Sequence, residues 1–265
     1  MSKVKDTAIK AAHAAGELML QRLGDIGKIN YKDAFNLVTD VDKDAEKTVI
    51  NILRHSFPND AILAEESGTS PGHNTNRRWL IDPIDGTTNF AHSYPFFCVS
   101  IGLEESGKLI LGVVFNPVAN ELFYAESGQG AWLNERPIKV SKINKLDESL
   151  LSTGFHSTSK ASEASNKEMF QCMTDTTHGV RRDGSAALDL CFVACGRTEG
   201  FWESKISLWD IGAGTVIIRE AGGQVTDLNG KELDLSTGKV DIVASNKILH
   251  EQLIGGLTQC RLITR

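Results

Sequence analysis

One short stretch of the sequence places two carboxylates where an apolar strand is predicted to end. Residues 79–81 are apolar, Asp82 follows them, and Asp85 comes three positions later, after Pro83 and Ile84. Because proline cannot donate to a strand ladder, we expect the strand to stop at Pro83. Carboxylate and carbonyl oxygens are the ligands that hard divalent cations prefer, so the stretch predicts a Mg²⁺ site made of the two acids and the Ile84 carbonyl.

The turn that follows these acids has the features of an anion site. Gly86 and Thr87 lead into a predicted helix start, where backbone N–H groups lack partners within the helix. Mg²⁺ in proteins commonly bridges carboxylates and a substrate phosphate, so the acids and the turn together indicate phosphate chemistry. From these residues alone an alternative stays open, in which Asp82 and Asp85 are turn formers and Thr87 caps the helix.

Two further acids occupy comparable positions elsewhere in the chain. Glu65 directly follows the apolar run 61–64, and Asp210 opens a predicted helix that ends near Gly222. Taken singly, Glu65 can be solvated and Asp210 can be a helix cap. If all four acids meet, each pair of like charges ~4 Å apart costs about 4 kcal/mol at an effective dielectric constant of 20, so such a pocket requires cations. No Ser–His or Cys–His arrangement in the sequence indicates a covalent intermediate.

Alternating strands and helices are expected to carry these acids. Apolar side chains recur with a helical period over residues 4–23, and Thr39 or Asp40 can cap a second helix that runs to His55. Strands are predicted at 61–64, 79–81, 96–103, 108–115, 121–125, 150–153, 200–203 and 241–244. Further helices are predicted near 162–173, at 185–196 with Ser185 as the cap, at 210–222 and from Asn246 onward. This mixture predicts sheets covered by helices, and the absence of linkers and repeats predicts a single domain over residues 1–265.

The composition excludes several classes of protein. A formal net charge of −6 disfavours electrostatic capture of nucleic acid, so no direct nucleic-acid contact is expected. No apolar run approaches the ~18 residues of a membrane span, and no apolar segment follows the basic N-terminal residues as in a secretory signal. The five cysteines are odd in number and lack a C-x-x-C pair, which argues against a disulfide framework. We therefore expect a reduced, cytoplasmic protein without membrane association.

The sequence resembles the inositol monophosphatase family, a group of Mg²⁺-dependent, lithium-sensitive phosphomonoesterases. The similarity covers most of the chain, and its motifs occur in the order and at the spacing of the family. Those motifs are Ala64-Glu-Glu-Ser-Gly68, Trp79 to Asn89, Gly184-Ser-Ala-Ala-Leu-Asp189, Gly200-Phe-Trp-Glu203 and Trp209 to Gly223.

The resemblance implies two Mg²⁺ ions held by shared acids. Glu65, Asp82 and the Ile84 carbonyl would hold one ion. Asp82, Asp85 and Asp210 would hold the second ion, so that Asp82 bridges the two.

One departure from the family pattern concerns a third ion. Asn36 stands where the family usually has an acid, and Lys32 lies nearby in the sequence. A third metal site in the family depends partly on that region. The resemblance therefore supports two ions and leaves the third open.

The resemblance also implies how the substrate and the attacking water are positioned. The phosphate would lie across both ions and accept hydrogen bonds from the backbone N–H groups of Gly86 and Thr87. Glu65 and the Thr87 hydroxyl would orient the water, and Asp42 matches an acid that supports this threonine. The substrate contacts implied in this way are Asp85, Gly86, Thr87, Ser185, Ala186, Glu203 and Asp210, with Ser185, Ala186 and Glu203 meeting polyol hydroxyls.

At the level of the whole protein, the resemblance implies a mixed α+β fold, layered as an α-β-α-β-α sandwich and assembled as a homodimer. It implies Mg²⁺-dependent hydrolysis of a small phosphate monoester, with myo-inositol monophosphate as the favoured substrate. The same chemistry on fructose 1,6-bisphosphate, a 3′-phosphonucleotide or histidinol phosphate stays open. So does a mainly protein-binding role in a transcription complex, because some bacterial relatives act in this way.

Overall fold

The computed structural model describes residues 2–25, 29–31, 37–155 and 160–263, which form helices and two large sheets. The helices are α1 Lys3–Arg22, α2 Asp40–Ser56, α3 Thr87–Ala91, α4 Lys160–Thr176, α5 Ala186–Ala194, α6 Leu208–Glu220 and α7 His250–Ile263. The strands are β1 Ile29–Tyr31, β2 Leu37–Thr39, β3 Asp60–Ala64, β4 Gly68–Ser70, β5 Asn74–Asp85, β6 Cys98–Glu105, β7 Lys108–Asn116, β8 Glu121–Glu126, β9 Ala131–Leu133, β10 Arg136–Ile138, β11 Leu150–Thr153, β12 Gly179–Arg181, β13 Gly200–Ser207, β14 Gln224–Thr226 and β15 Lys239–Ser245. Asn36 and Lys32, on which the question of a third ion depends, lie outside the described residues.

Both large sheets mix parallel and antiparallel strands. The eight-stranded sheet has the order β10-β9-β8-β7-β6-β5-β3-β4, and its only parallel pair among these strands is β3 with β5. The five-stranded sheet has the order β12-β11-β13-β15-β14, in which β11 runs parallel to both of its neighbours. The short pair β1 and β2 is antiparallel and separate from both sheets.

The helices cover these sheets in layers. Helices α1 and α2 pack on one face of the eight-stranded sheet, through β5, β6 and β7. Helices α5 and α6 lie between the two sheets and contact both, while α4 and α7 pack together on the far face of the five-stranded sheet. The order is therefore α-β-α-β-α, which confirms the predicted mixed fold and its layering.

Helix α6 lies unusually close to the eight-stranded sheet. A Cβ atom built on Gly112 of β7 would lie 2.2 Å from the backbone oxygen of Ala213, and one on Gly212 of α6 would lie 2.5 Å from the Leu80 side chain. Glycine on both surfaces lets the helix backbone approach the strands directly. The first turn of α6 is thereby held beside the end of β5.

The helix starts nearest to these strands use the predicted caps. The Thr39 side chain caps α2 and the Asp42 carboxylate accepts the Thr39 N–H at 2.8 Å, which forms a capping box. Ser185 caps α5, as predicted. Asp210 lies in the first turn of α6 rather than at its opening residue, and its carboxylate accepts the Ser207 N–H at 3.2 Å.

Several predicted element boundaries are wrong: β5 begins at Asn74 rather than Trp79, β13 runs to Ser207 rather than Glu203, and α6 begins at Leu208 rather than Asp210. Strand β5 continues through Pro83 to Asp85, because the pairing of β5 with β6 shifts register between Asp82 and Asp85. Within that irregularity the ladder needs no N–H from residue 83, so proline is tolerated there. The last helix begins at His250 rather than Asn246, whose side chain accepts the Leu249 N–H at 3.0 Å in the preceding turn.

The expectation of a fully reduced chain is also wrong, because Cys172 and Cys260 form a disulfide. Their Cα atoms lie 5.8 Å apart although 88 positions separate them, since α4 and α7 pack against each other. Cys98 and Cys191 are buried free thiols and Cys195 is a half-buried one. Among the described residues, no helix combines the length and the apolar character needed to cross a membrane.

Candidate active site

A single pocket collects the acids that the sequence singled out. Its volume is about 170 Å³, and it opens where β3, β5, β11, β13 and the first turns of α5 and α6 come together. The predicted site residues that line it are Glu65, Asp82, Ile84, Asp85, Gly86, Thr87, Ser185, Ala186, Glu203 and Asp210. Asp42 is the one predicted site residue outside this lining.

The four carboxylates predicted to hold metal are placed by the ends of three elements, β3, β5 and α6. Glu65 follows β3, and its backbone N–H bonds to the Ile81 carbonyl of β5 at 3.1 Å. Asp82 and Asp85 lie at the irregular end of β5, where the Asp82 carboxylate accepts the Ile84 N–H at 3.0 Å. Asp210 comes from α6, which the close packing against the sheet holds near β5.

The electrostatics of these acids are those of a pocket that requires positive charge. Burial raises the pKa of Asp82 and of Asp210 well above the ordinary range, and the charge of Glu65 raises both further. Burial also raises the pKa of Asp85 to about 6, although hydrogen bonds from Ser185 and Ala187 partly offset it. Carboxylates that raise one another's pKa in this way are stabilised in their charged form by a cation.

The donor set suits a hard divalent cation that keeps oxygen ligands of several kinds. Among the described residues, no group of three or more His, Cys, Asp or Glu side chains is arranged so that it could hold a metal ion by itself. An ion here would therefore also use the Ile84 carbonyl, water or phosphate oxygens, as Mg²⁺ commonly does. The three-acid set Asp82, Asp85 and Asp210 that was predicted for a second ion stays a prediction.

Asp42 reaches the pocket through Thr87. One carboxylate oxygen of Asp42 accepts the Thr87 hydroxyl at 2.9 Å, and the other accepts the Thr39 hydroxyl at 2.6 Å. The Thr87 hydroxyl also lies 3.1 Å from the Ile84 carbonyl oxygen. Asp42 is fully buried, so this network fixes the Thr87 side chain against the end of β5.

Asp85 is fixed from the opposite side by the start of α5. Its carboxylate accepts the Ser185 hydroxyl at 2.7 Å and the Ala187 N–H at 2.6 Å. These bonds join the eight-stranded sheet to a helix that packs on the five-stranded sheet. Sequence reasoning placed Ser185 at the substrate but did not foresee that its hydroxyl orients Asp85.

Several pocket residues were missed at the level of sequence. Thr153 at the end of β11, Gly154 and Phe155 after it, Arg182, and Asp189 of α5 also line the cavity. Of these, Asp189 had a signal in the sequence, since it is a lone acid flanked by apolar residues within a predicted helix.

The profile of the inositol monophosphatase family matches residues 1–262. The chain belongs to the inositol monophosphatase family. This confirms the resemblance read from the motifs, and it makes the protein a phosphoric monoester hydrolase of a family that is generally metal-dependent.

Individual members of the family are similar to this chain over nearly its whole length. An inositol-1-monophosphatase of Synechocystis sp. is 47% identical over 249 residues, which cover 94% of this chain and 86% of that protein. A Nus factor SuhB of Pseudomonas aeruginosa is 42% identical over 263 residues, which cover 96% of this chain and 95% of that protein. The solved structure of an inositol monophosphatase from Anabaena is 45% identical with a TM-score of 0.87, covering 96% of this chain and 95% of that one.

Proposed function

We propose that this phosphatase hydrolyses myo-inositol monophosphate to inositol and phosphate, with two Mg²⁺ ions as cofactors. The observation that carries the proposal is the meeting of Glu65, Asp82, Asp85 and Asp210, from three separate parts of the chain, in one pocket. The names of the Synechocystis and Anabaena relatives support the substrate.

The residues proposed to hold the ions are those that the resemblance implied. Glu65, Asp82 and the Ile84 carbonyl serve one ion, and Asp82, Asp85 and Asp210 serve the other. When bound, Mg²⁺ supplies Lewis-acid stabilisation of phosphoryl oxygens and lowers the pKa of a coordinated water. The mutual repulsion of the buried acids supports this assignment, because two divalent cations offset it.

The other residues of the pocket orient the reactants. The Thr87 hydroxyl donates to Asp42, which leaves its oxygen to accept a hydrogen bond from the attacking water. Glu65 would accept a second hydrogen bond from the same water. The backbone N–H groups of Gly86 and Thr87 bind phosphate oxygens. Gly86 has φ +98°, and a Cβ there would lie 2.9 Å from the Phe96 carbonyl oxygen, so only glycine fits this turn.

Part of the same pocket is proposed to bind the alcohol that leaves. Ser185, Ala186 and Glu203 line the pocket, and buried polar groups there favour a leaving group rich in hydroxyls. Glu203 is 8% exposed, so its carboxyl is available only to something inside the pocket.

The experiment that tests this function measures phosphate release from myo-inositol 1-phosphate with and without Mg²⁺. Asp85→Asn and Asp210→Asn each remove a charged ligand, and we expect each to lower kcat/KM by about 100-fold or more. Asp175→Asn changes an exposed acid of α4 in the same way and is expected to leave the rate unchanged. Near-normal activity of both ligand variants would contradict the proposed site.

A panel of esters tests the substrate. The panel contains myo-inositol 1-phosphate, fructose 1,6-bisphosphate, a 3′-phosphonucleotide and histidinol phosphate at one Mg²⁺ concentration, compared by kcat/KM. We expect the inositol ester to have the highest value. A higher kcat/KM for another ester would agree with phosphatase activity but would contradict inositol monophosphate as the substrate.

A second candidate function is binding within a transcription complex, which the similarity to the Pseudomonas aeruginosa Nus factor favours. A strain lacking the gene, complemented with the Asp85→Asn/Asp210→Asn double variant, distinguishes the two. Restoration of growth by this variant would show that the cell needs the binding role and not catalysis. Failure to restore growth supports the phosphatase function. The implied homodimer is part of the proposal, and light scattering of the purified protein tests it.

A further inference from the structure

Two acids of the pocket, other than the four proposed metal ligands, are buried among its lining residues. Asp189 is 2% exposed and Glu203 is 8% exposed, and both line the cavity. Within the described residues, no side chain or backbone group forms a well-aligned hydrogen bond to either carboxyl. Glu203 belongs to the proposed substrate contacts, whereas Asp189 has no role in the mechanism given above.

The strand β11 fixes where these two carboxyls lie. Ser152 of β11 is opposite Phe201 of β13, so Ser152 and Glu203 face the same side of the five-stranded sheet, which α5 covers. Asp189 of α5 lies close enough to the Ser152 hydroxyl for it to lower the pKa of the acid. A Cβ atom on Gly154 would lie 2.0 Å from a Glu203 carboxylate oxygen. The two acids therefore lie against Ser152 and Gly154, two positions apart at the end of β11. Residues two positions apart along a strand are about 7 Å from each other.

A structural role does not account for Asp189. Buried polar groups in folded proteins are nearly always hydrogen-bonded, because an unpaired one costs free energy. The Ser152 hydroxyl is itself buried and has no aligned partner among the described residues. The charged neighbours of Asp189 are mainly acids, namely Asp183, Asp85 and Glu203, and together with burial they raise its pKa well above the ordinary range. A ligand with hydroxyl groups would supply the missing partners.

We propose that Asp189 is a specificity-determining residue that binds one hydroxyl group of the leaving alcohol while Glu203 binds another. The substrate class is then the phosphate monoesters of alcohols that carry at least two further hydroxyls, on carbons far enough apart to meet both acids. The inference rests on the proposed function, since it assigns the alcohol end of the same pocket.

Two variants and two esters test the inference. Asp189→Leu removes all hydrogen bonding at similar size, and Asp189→Asn keeps part of it. The esters are myo-inositol 1-phosphate and p-nitrophenyl phosphate, whose leaving group has no further hydroxyl. We expect Asp189→Leu to lower kcat/KM for the inositol ester by about 10-fold to 100-fold, chiefly through KM, and Asp189→Asn to lower it less. The value for the nitrophenyl ester should change by less than about threefold.

Asp183→Asn is the matched control, because it removes a nearby acid that does not line the pocket. It should leave the ratio of the two kcat/KM values unchanged. Equal losses on both esters, or an unchanged ratio in the Asp189 variants, would overturn the role of Asp189. Wild-type protein that hydrolyses only the nitrophenyl ester would instead overturn the proposed substrate, and with it this inference.

Discussion

At the scale of single residues, a buried acid of the pocket makes the stability of the cation-free protein depend on pH. Burial raises the pKa of Glu203 to about 8, from an ordinary value of 4.5. A group whose pKa is raised in the folded state contributes stability that is complete below its unfolded pKa and is lost as the pH rises through the folded pKa. Without divalent cations, this contribution is therefore complete below about pH 4.5 and lost by about pH 8.

Glu203→Gln should remove this pH dependence. Glutamine stays neutral, so the variant should not lose stability as the pH rises. Between pH 4.5 and 8 the free energy of unfolding of the wild type should fall relative to that of the variant, by on the order of 1 to 3 kcal/mol. Denaturant unfolding at several pH values in EDTA measures the difference. Glu17→Gln, an exposed acid of α1, should follow the wild type. Parallel curves for Glu203→Gln and the wild type would contradict the raised pKa.

Asp42 links the stability of a helix to the orientation of a reactant. Its two oxygens serve Thr39 and Thr87, and asparagine can supply only one acceptor oxygen. Asp42→Asn should therefore lower kcat by about tenfold with KM within about threefold, because Thr87 is no longer held. It should also cost about 1 kcal/mol of stability through the weakened cap.

Steady-state kinetics and thermal melting of Asp42→Asn separate these two effects. Asp44→Asn, an exposed acid one position beyond Lys43 on α2, is the control and should change neither. A loss of stability with unchanged kcat would mean that Asp42 serves only as a cap.

At the scale of elements, the sequence allowed the helices and strands near the site to be predicted because their ends carry local signals. Thr39 and Ser185 are caps recognisable from residue type, and the apolar runs before Glu65 and Asp82 mark strands. The continuation of β5 through Pro83 was not predictable in this way. It depends on the register with β6, which is a property of two strands and not of one.

The contact between α6 and the eight-stranded sheet is a second feature that no local pattern reveals. Gly112→Ala would place a methyl group 2.2 Å from the Ala213 carbonyl oxygen, so the helix or the strand must move. Such overpacking costs about 1 to 3 kcal/mol or more. Because α6 carries Asp210, we expect the variant also to raise the Mg²⁺ concentration needed for half-maximal activity.

Thermal melting and Mg²⁺ titration of activity check this expectation. Gly255→Ala is the matched control, because Gly255 lies in α7 with no atom within 4 Å of an added Cβ. Alanine favours the helix there, so this variant should be as stable as the wild type or slightly more stable. A Gly112→Ala protein with wild-type melting and Mg²⁺ dependence would contradict the role of this contact.

At the scale of the whole molecule, the pocket takes residues from both sheets and from the helices between them. We therefore infer that residues 1–265 act as one domain, in which the site forms only when all layers are assembled. The same long-range assembly explains the error about cysteines. Spacing along the chain says little about a pair 88 positions apart, whereas the packing of α4 on α7 brings it together.

The disulfide between Cys172 and Cys260 should add measurable stability to this assembly. A covalent link across 88 positions restricts the unfolded chain, and native disulfides typically contribute about 2 to 4 kcal/mol. The Cys172→Ser/Cys260→Ser variant and the wild type in reductant should therefore lose similar stability in denaturant unfolding, and reductant should not affect the double variant further. Cys195→Ser, at a free thiol, should respond to reductant as the wild type does. Wild-type stability that is insensitive to a strong reductant, with Cys172 and Cys260 shown by thiol labelling to be reduced, would contradict a stabilising role for this disulfide.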